Sequence, residues 1–185
     1  MPSAIRQLYP VAESQAGYFT TAQAGALGLT PQTLHYHIKT GALERSRRGV
    51  YRLVTFPPST EEHLVILWLW SEQEAVFSHE TALVLHGLSE LMPQRVHMTF
   101  PEPWRSRRMR WPTRIMWTFA DLQPEERRWH DAVPVTTPAR TLCDCALTGV
   151  PRDQLELARE QGLRRGLFAA AEIDIVAAYL KGGER

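Results

Sequence analysis

The sequence predicts an α+β chain in two parts, and three observations predict it. The first 55 residues hold short, well-capped helical segments that end in a two-strand hairpin. Two prolines in "TFPPST" (55–60) then interrupt the chain. Beyond them, short β-rich runs alternate with helices that open on proline, the pattern of a small sheet with helices. The expected domains are therefore 1–55 and 60–185, and 185 residues are enough to bury a core in each part.

The front part reads in order. "AIRQLYPVAESQ" has apolar residues at helical spacing, with Pro10 ending or kinking the helix. "GYFT" is a short extended piece. "TTAQAGALGL" begins with threonine caps and stops at Gly28. "TPQTLHYHIKTG" has Thr30 as its cap, Pro31 at the first helical position and Gly41 just past the end. "ALERSRRGVYRLV" alternates about "RRG", a hairpin with glycine at its turn.

In the rear part, Glu61–Ser71 is expected to be helical, with Leu64, Val65, Leu67 and Trp68 toward a core and Trp70 as a further candidate. "EAVFS", "QRVHMTFP" (94–101), "RIMWTFA" (114–120) and "AVPVTT" (132–137) are expected strands. "HETALVLHGL" is an expected helix ending at Gly87. "PARTLCDCALTG", "PRDQLELAREQGLRRG" and "AAAEIDIVAAYLKGG" are three more.

Composition narrows the function. Hydrophobic content of 44% with 22% charged residues is that of a folded globular chain. The longest apolar run, "LVILWLW", falls far short of the ~20 residues of a membrane span, and the N-terminus lacks an apolar signal core. A cytoplasmic protein without membrane partners is expected. The net charge of +1 conceals an asymmetry. Residues 1–55 hold six of the 21 basic side chains and two of the 20 acidic ones, so the front is basic and the rear slightly acidic. Cys143 and Cys145 are the two cysteines, and their i, i+2 spacing on a helix points them apart, against a disulfide or a zinc site.

The helix 30–40 carries the chemistry of the front part. Leu34 and Ile38 share a face that must pack inward onto Leu27, Leu29 and the hairpin. The opposite face offers Gln32, Thr33, Tyr36, Lys39 and Thr40, with His35 and His37 on its flanks. These histidines point about 200° apart, so one metal ion cannot take both, and no metal or cofactor is expected. A short helix that follows another across a glycine turn, with amide, hydroxyl, imidazole and ammonium groups outward, suits the major groove of DNA. The arginines of the hairpin, Arg45, Arg47 and Arg48, suit phosphates. This combination predicts a winged helix-turn-helix.

The stretch "GYFTTAQAGALGLTPQTLHYHIKTGALERSRRGVYRL" (17–53) resembles the N-terminal winged-helix domain of the AbiEi family, the antitoxins of type IV toxin–antitoxin systems. The run "GALERSRRGVY" is the more specific part of it. The likeness continues through "FSHETALVLHGLSE" (77–90), "VHMTFP" (96–101) and "VPVTTPARTLCDCA" (133–146). The resemblance implies a bacterial or archaeal autorepressor that binds inverted repeats in double-stranded DNA upstream of its own operon. It also implies a partner, a nucleotidyltransferase toxin encoded next to it, which the rear domain helps to counter. Carried over, the recognition-helix positions are Gln32, Thr33, His35, Tyr36 and His37, and the wing positions Arg45, Arg47 and Arg48. Longer relatives bear a nuclease-like C-terminal extension that this sequence lacks, so nuclease activity is not implied. The alternative is a protein-interaction module that neutralises a toxin by direct contact, with DNA binding incidental.

The rear part offers weaker signals, and no enzyme is expected. "SHETALVLHG" contains His-Glu, but Leu83 stands where a zinc-protease helix needs its second histidine. Glu80 has no carboxylate partner at useful spacing. "WRSRRMRWPTR" (104–114) has five arginines and no acid. Its Arg105, Arg107, Arg108 and Arg110 could form a second nucleic-acid or partner surface, or a solvated loop whose tryptophans tuck into the core. Arg140 and Asp144 are spaced as an i, i+4 ion pair behind a Thr137 cap.

Overall fold

The computed structural model describes residues 4–90, 92–108, 112 and 114–181. The chain forms two compact units, one of residues 1–74 with 131–133 and the other of 75–130 with 134–185.

In the first unit, helix α1 (Ala4–Gln7) and helix α2 (Tyr9–Glu13) are parted at Leu8, where Pro10 is accommodated at the start of a new helix. Strand β1 (Tyr18–Thr20) follows, then helix α3 (Thr21–Ala26) and helix α4 (Pro31–Lys39). Strands β2 (Leu43–Arg47) and β3 (Val50–Leu53) form the hairpin, and helix α5 (Glu62–Trp70) packs on β1 and β3. The three strands are antiparallel in the order β1-β3-β2, with Leu43 opposite Leu53 and Phe19 opposite Tyr51.

Local sequence explains each helix end. The Thr20 hydroxyl accepts from Gln23 N–H while the Gln23 side chain accepts from Thr20 N–H, a reciprocal box at the start of α3. At the other end Gly28 sits at φ +80°, its N–H donating to the Gly25 carbonyl and that of Leu29 to the Ala24 carbonyl. This double bond seals the last carbonyls and turns the chain into α4, a turn that glycine makes without steric cost. Leu8, Phe19, Leu34, Leu43 and Leu53 are the buried centre of the unit, with Leu27 and Ile38 packed against them.

Burial in α5 differs from the sequence expectation. Leu64, Val65, Trp68 and Leu69 are buried, whereas Leu67 is only half-buried. The i, i+1, i+4, i+5 spacing follows the 3.6-residue turn, and it turns Leu67 off the buried stripe.

The second unit is built on a five-stranded sheet in the order β6-β5-β4-β8-β7. Its strands are β4 (Val76–Phe77), β5 (Val96–Phe100), β6 (Ile115–Phe119), β7 (Arg127–His130) and β8 (Val133–Thr136). β4 runs antiparallel to β5 and parallel to β8, and β5 runs parallel to β6. Helix α6 (His79–Leu85) follows β4. Helices α7 (Pro138–Leu147), α8 (Arg152–Arg164) and α9 (Asp174–Lys181) complete the unit, with α7 touching α6, α8 and α9. The core gathers Leu83, Leu142, Cys145, Leu155, Phe168 and Val176. β7 is the one strand absent from the sequence expectation; "RRWH" is an exposed edge segment with no alternation to reveal it.

The mixed α+β class, with its N-terminal helices and small sheet, is the class expected. No helix among the described residues is long and apolar enough to cross a membrane.

A candidate nucleic-acid interface

α4 places its polar residues as a stripe. Gln32, His35, Tyr36 and Lys39 fall at i, i+3, i+4 and i+7, and all four are exposed, Tyr36 to 62%. Leu34, on the far side, is buried against α3 and the hairpin. The stripe is held rigidly, because the Thr30 hydroxyl accepts from Thr33 N–H at 3.2 Å to cap the helix. That cap also engages Thr33, whose hydroxyl lies 3.0 Å from that of Thr30. His37 is half-buried and stands edge-on to the Tyr36 ring, centroids 5.3 Å apart. The structure thus sets Gln32, His35, Tyr36 and Lys39 outward together and turns Thr33 and His37 to the flanks.

The hairpin arginines divide by surroundings. Arg45 and Arg48 are exposed, and neither has an ion-pair partner among the described residues. Arg47 is half-buried, its guanidinium 5.8 Å from the centre of the Trp70 ring. Arg52 is committed elsewhere, donating to Glu44 at 2.8 Å and to the Phe56 carbonyl at 3.0 Å. Lys39, Arg45 and Arg48 are exposed around the stripe without ion-pair partners among the described residues, and they suit a phosphate backbone.

The frame behind the stripe rests on two polar junctions. Buried Gln15 donates to the Tyr18 carbonyl and accepts from the side chains of Gln23 and Gln73, tying α2, β1, α3 and the end of α5. The Tyr18 hydroxyl donates to Glu62 at 2.7 Å; burial, the Glu62 hydrogen bond and its charge push that phenol up to about 12. These glutamines carry no pattern that sequence reasoning could have found, since their spacing reflects the fold and no single helix face.

The basic segment of the second unit is less available than its composition suggests. Glu102, just ahead of it, takes Arg105 through two hydrogen bonds of 2.9 and 2.8 Å, and that guanidinium also lies 4.9 Å from the centre of the Phe119 ring. Arg107 stacks over Trp104 at 4.0 Å, and Trp104 itself is buried. Arg108 is exposed. Arg110 lies outside the described residues.

Three comparisons bear on this arrangement. Residues 6–54 match the family described as "Transcriptional regulator, AbiEi antitoxin". No curated protein matches the chain. Among solved structures, the RV2827C protein from Mycobacterium tuberculosis shares the fold at a TM-score of 0.50 and 13% identity, over 98% of this chain and 77% of that one.

Proposed function

We propose that this chain, whose residues 6–54 match the AbiEi antitoxin transcriptional regulators, is a site-specific DNA-binding repressor of its own operon and the antitoxin of a type IV system. The observation that carries this reading is the α4 stripe. Gln32, His35, Tyr36 and Lys39 share one exposed face of a capped helix, backed by α3 and flanked by Arg45 and Arg48, which have no ion-pair partner among the described residues. In this reading α4 enters the major groove. Gln32 pairs with adenine, and Tyr36 and His35 read neighbouring edges, with Thr33 and His37 at the margins of the contact. Lys39, Arg45 and Arg48 neutralise phosphates, and Arg47, half-buried and leaning on Trp70, is the least available of the three wing arginines. The functional partner is a nucleotidyltransferase-type toxin, and the second unit is the part assigned to countering it.

Fluorescence anisotropy tests the reading, with duplex DNA from upstream of the protein's own gene against scrambled duplex across a salt series. A gap of ~10³ in affinity with a steep salt slope is expected. Weak binding that ignores sequence would overturn it and move the function to contact with a protein partner.

A further inference from the structure

Strand β6 lies at one end of the five-stranded sheet and carries two aromatic residues on one face. The register sets Trp117 beside Met98 and Phe119 beside Phe100, so these four share a face, and Met116 and His97 lie on the other. Trp117 is 46% exposed and Phe119 is half-buried. Two residues of strand separate them by about 6.6 Å, roughly twice the ~3.4 Å that each nucleotide of a stacked strand advances.

The segment after β5 completes this surface. It is a 3-10 turn, Glu102–Ser106, and the Glu102 N–H donates to the Asp121 carboxylate at 3.0 Å, just past the end of β6. Trp104 folds onto Phe100, ring centroids 5.4 Å apart, and is buried there. The Arg107 guanidinium stands 4.0 Å from the centre of the Trp104 ring, and its N–H donates to the Trp104 carbonyl at 2.9 Å. The Arg105 guanidinium stands 4.9 Å from the centre of the Phe119 ring and is held by Glu102 through two hydrogen bonds. Both arginines nevertheless remain exposed.

The contacts that make Arg105 and Arg107 poor loose phosphate ligands make them fixed planar groups. A guanidinium held at a ring has lost rotamer freedom in advance, so less is lost when a base settles on it. An exposed indole and fixed guanidinium planes are the surfaces on which unpaired bases stack. Charge agrees with this: residues 102–108 hold three arginines against one acid, and Arg108 is exposed without an ion-pair partner among the described residues. Rings on a sheet face meet bases only where these are unpaired, which excludes a duplex.

We propose that this face of the second unit binds a single strand of nucleic acid, one base stacking on Trp117 and others on the guanidinium groups of Arg105 and Arg107, with Arg108 at a phosphate. Stacking uses the π-face that every base has, and the backbone charge is common to RNA and DNA, so the surface reads neither sequence nor sugar. The proposal does not depend on duplex reading by α4.

Fluorescence anisotropy on the full chain tests it, with labelled uridine and thymidine strands of about 12 nucleotides. Both are expected to bind, within about tenfold of each other. Trp117→Ala should weaken both about tenfold or more, the loss of one stacked base, and Trp117→Tyr should retain most of the affinity. Arg107→Ala should weaken both strands similarly, whereas Arg108→Ala should reduce the salt slope by about 0.7. Arg45→Ala combined with Arg48→Ala, which reports on duplex binding, should leave strand binding unchanged. Thermal unfolding checks that each variant folds, and Trp117 and the arginines are exposed enough for that to be expected. Four results overturn the proposal: no strand binding at ~100 μM protein, binding that Trp117→Ala leaves intact in a folded variant, binding lost with the hairpin arginines instead, or a preference well beyond tenfold for one sugar.

Discussion

The N–H of Thr21, at the first position of α3, donates to the Gly49 carbonyl at the hairpin turn over 2.9 Å, and the Thr21 hydroxyl approaches the same oxygen at 3.3 Å. The turn that presents Arg48 is therefore pinned to the helix that backs α4, and hairpin and α4 are parts of one frame. Gly49 makes this possible at φ +82°. Gly49→Ala forces a side chain into that left-handed conformation and should lower stability by about 1–2 kcal/mol. A fall in the urea midpoint with an unchanged slope would show this, and an unchanged midpoint would mean that the turn relaxes without cost.

The α4 stripe and the hairpin cations should behave differently in DNA binding. Arg45→Ala and Arg48→Ala each remove an exposed cation, so each should weaken operator and random duplex alike and reduce the salt slope by about one. Gln32→Ala should instead cost ~1–3 kcal/mol on the operator alone. Arg52→Ala is the internal control, since that guanidinium is already held by Glu44 and Phe56. Anisotropy titrations of the four variants separate these outcomes; equal losses on operator and random DNA for Gln32→Ala would remove its base-reading role.

What the sequence shows and what it hides follow from the range of each interaction. Thr20, Thr30 and Thr137 were legible as caps because a cap closes within three residues. The Arg140–Asp144 pair was legible as an i, i+4 spacing and is present at 2.8 Å, but Arg140 also binds Glu126, 14 residues earlier, and no local rule reveals that. Arg165 is similar. A cation near a helix end needs no partner, yet it donates to the Gly87 carbonyl at 3.0 Å, 78 residues away. The exposed stripe of α4 was legible from its periodicity, with His37 on its flank, but His35, expected on the other flank, is exposed on the stripe, and Thr33, expected outward, is half-buried beside its cap. The placement of Arg105 at the Phe119 ring was invisible, since it joins the turn after β5 to a separate strand.

Stability should depend on pH through a buried histidine. His86 is buried beside Gly87, with Nε2 2.7 Å from the Thr136 carbonyl, and burial lowers it to about 4. The unfolded chain takes up that proton near pH 6.5 and the folded chain only near 4, so the unfolded state holds more protons throughout that window. Stability is therefore complete above about pH 6.5 and is lost as pH falls toward 4. Between pH 7.5 and 5 the loss from His86 alone is on the order of 2 kcal/mol. Urea unfolding at the two pH values measures it, and His86→Gln should shrink the difference. A difference that His86→Gln leaves intact would assign the effect to other groups.

Two helical glycines should respond in opposite directions to the same substitution. A Cβ at Gly25, in α3, meets nothing within 4 Å. Gly25→Ala should raise stability by about 0.5–1 kcal/mol, because alanine loses less backbone freedom on entering a helix. In α8, a Cβ at Gly162 would stand 2.2 Å from the ring of Phe168, a side chain buried in the core of the second unit. The helix-forming gain is the same there, but the ring it meets is packed among core side chains. Gly162→Ala should lower stability by about 1–3 kcal/mol, the usual cost of overpacking. Gly162→Ala combined with Phe168→Leu should recover part of that loss, because it removes the clashing edge. Thermal unfolding of the three variants measures both signs, and stabilisation by Gly162→Ala would mean that the Phe168 ring moves freely out of its place.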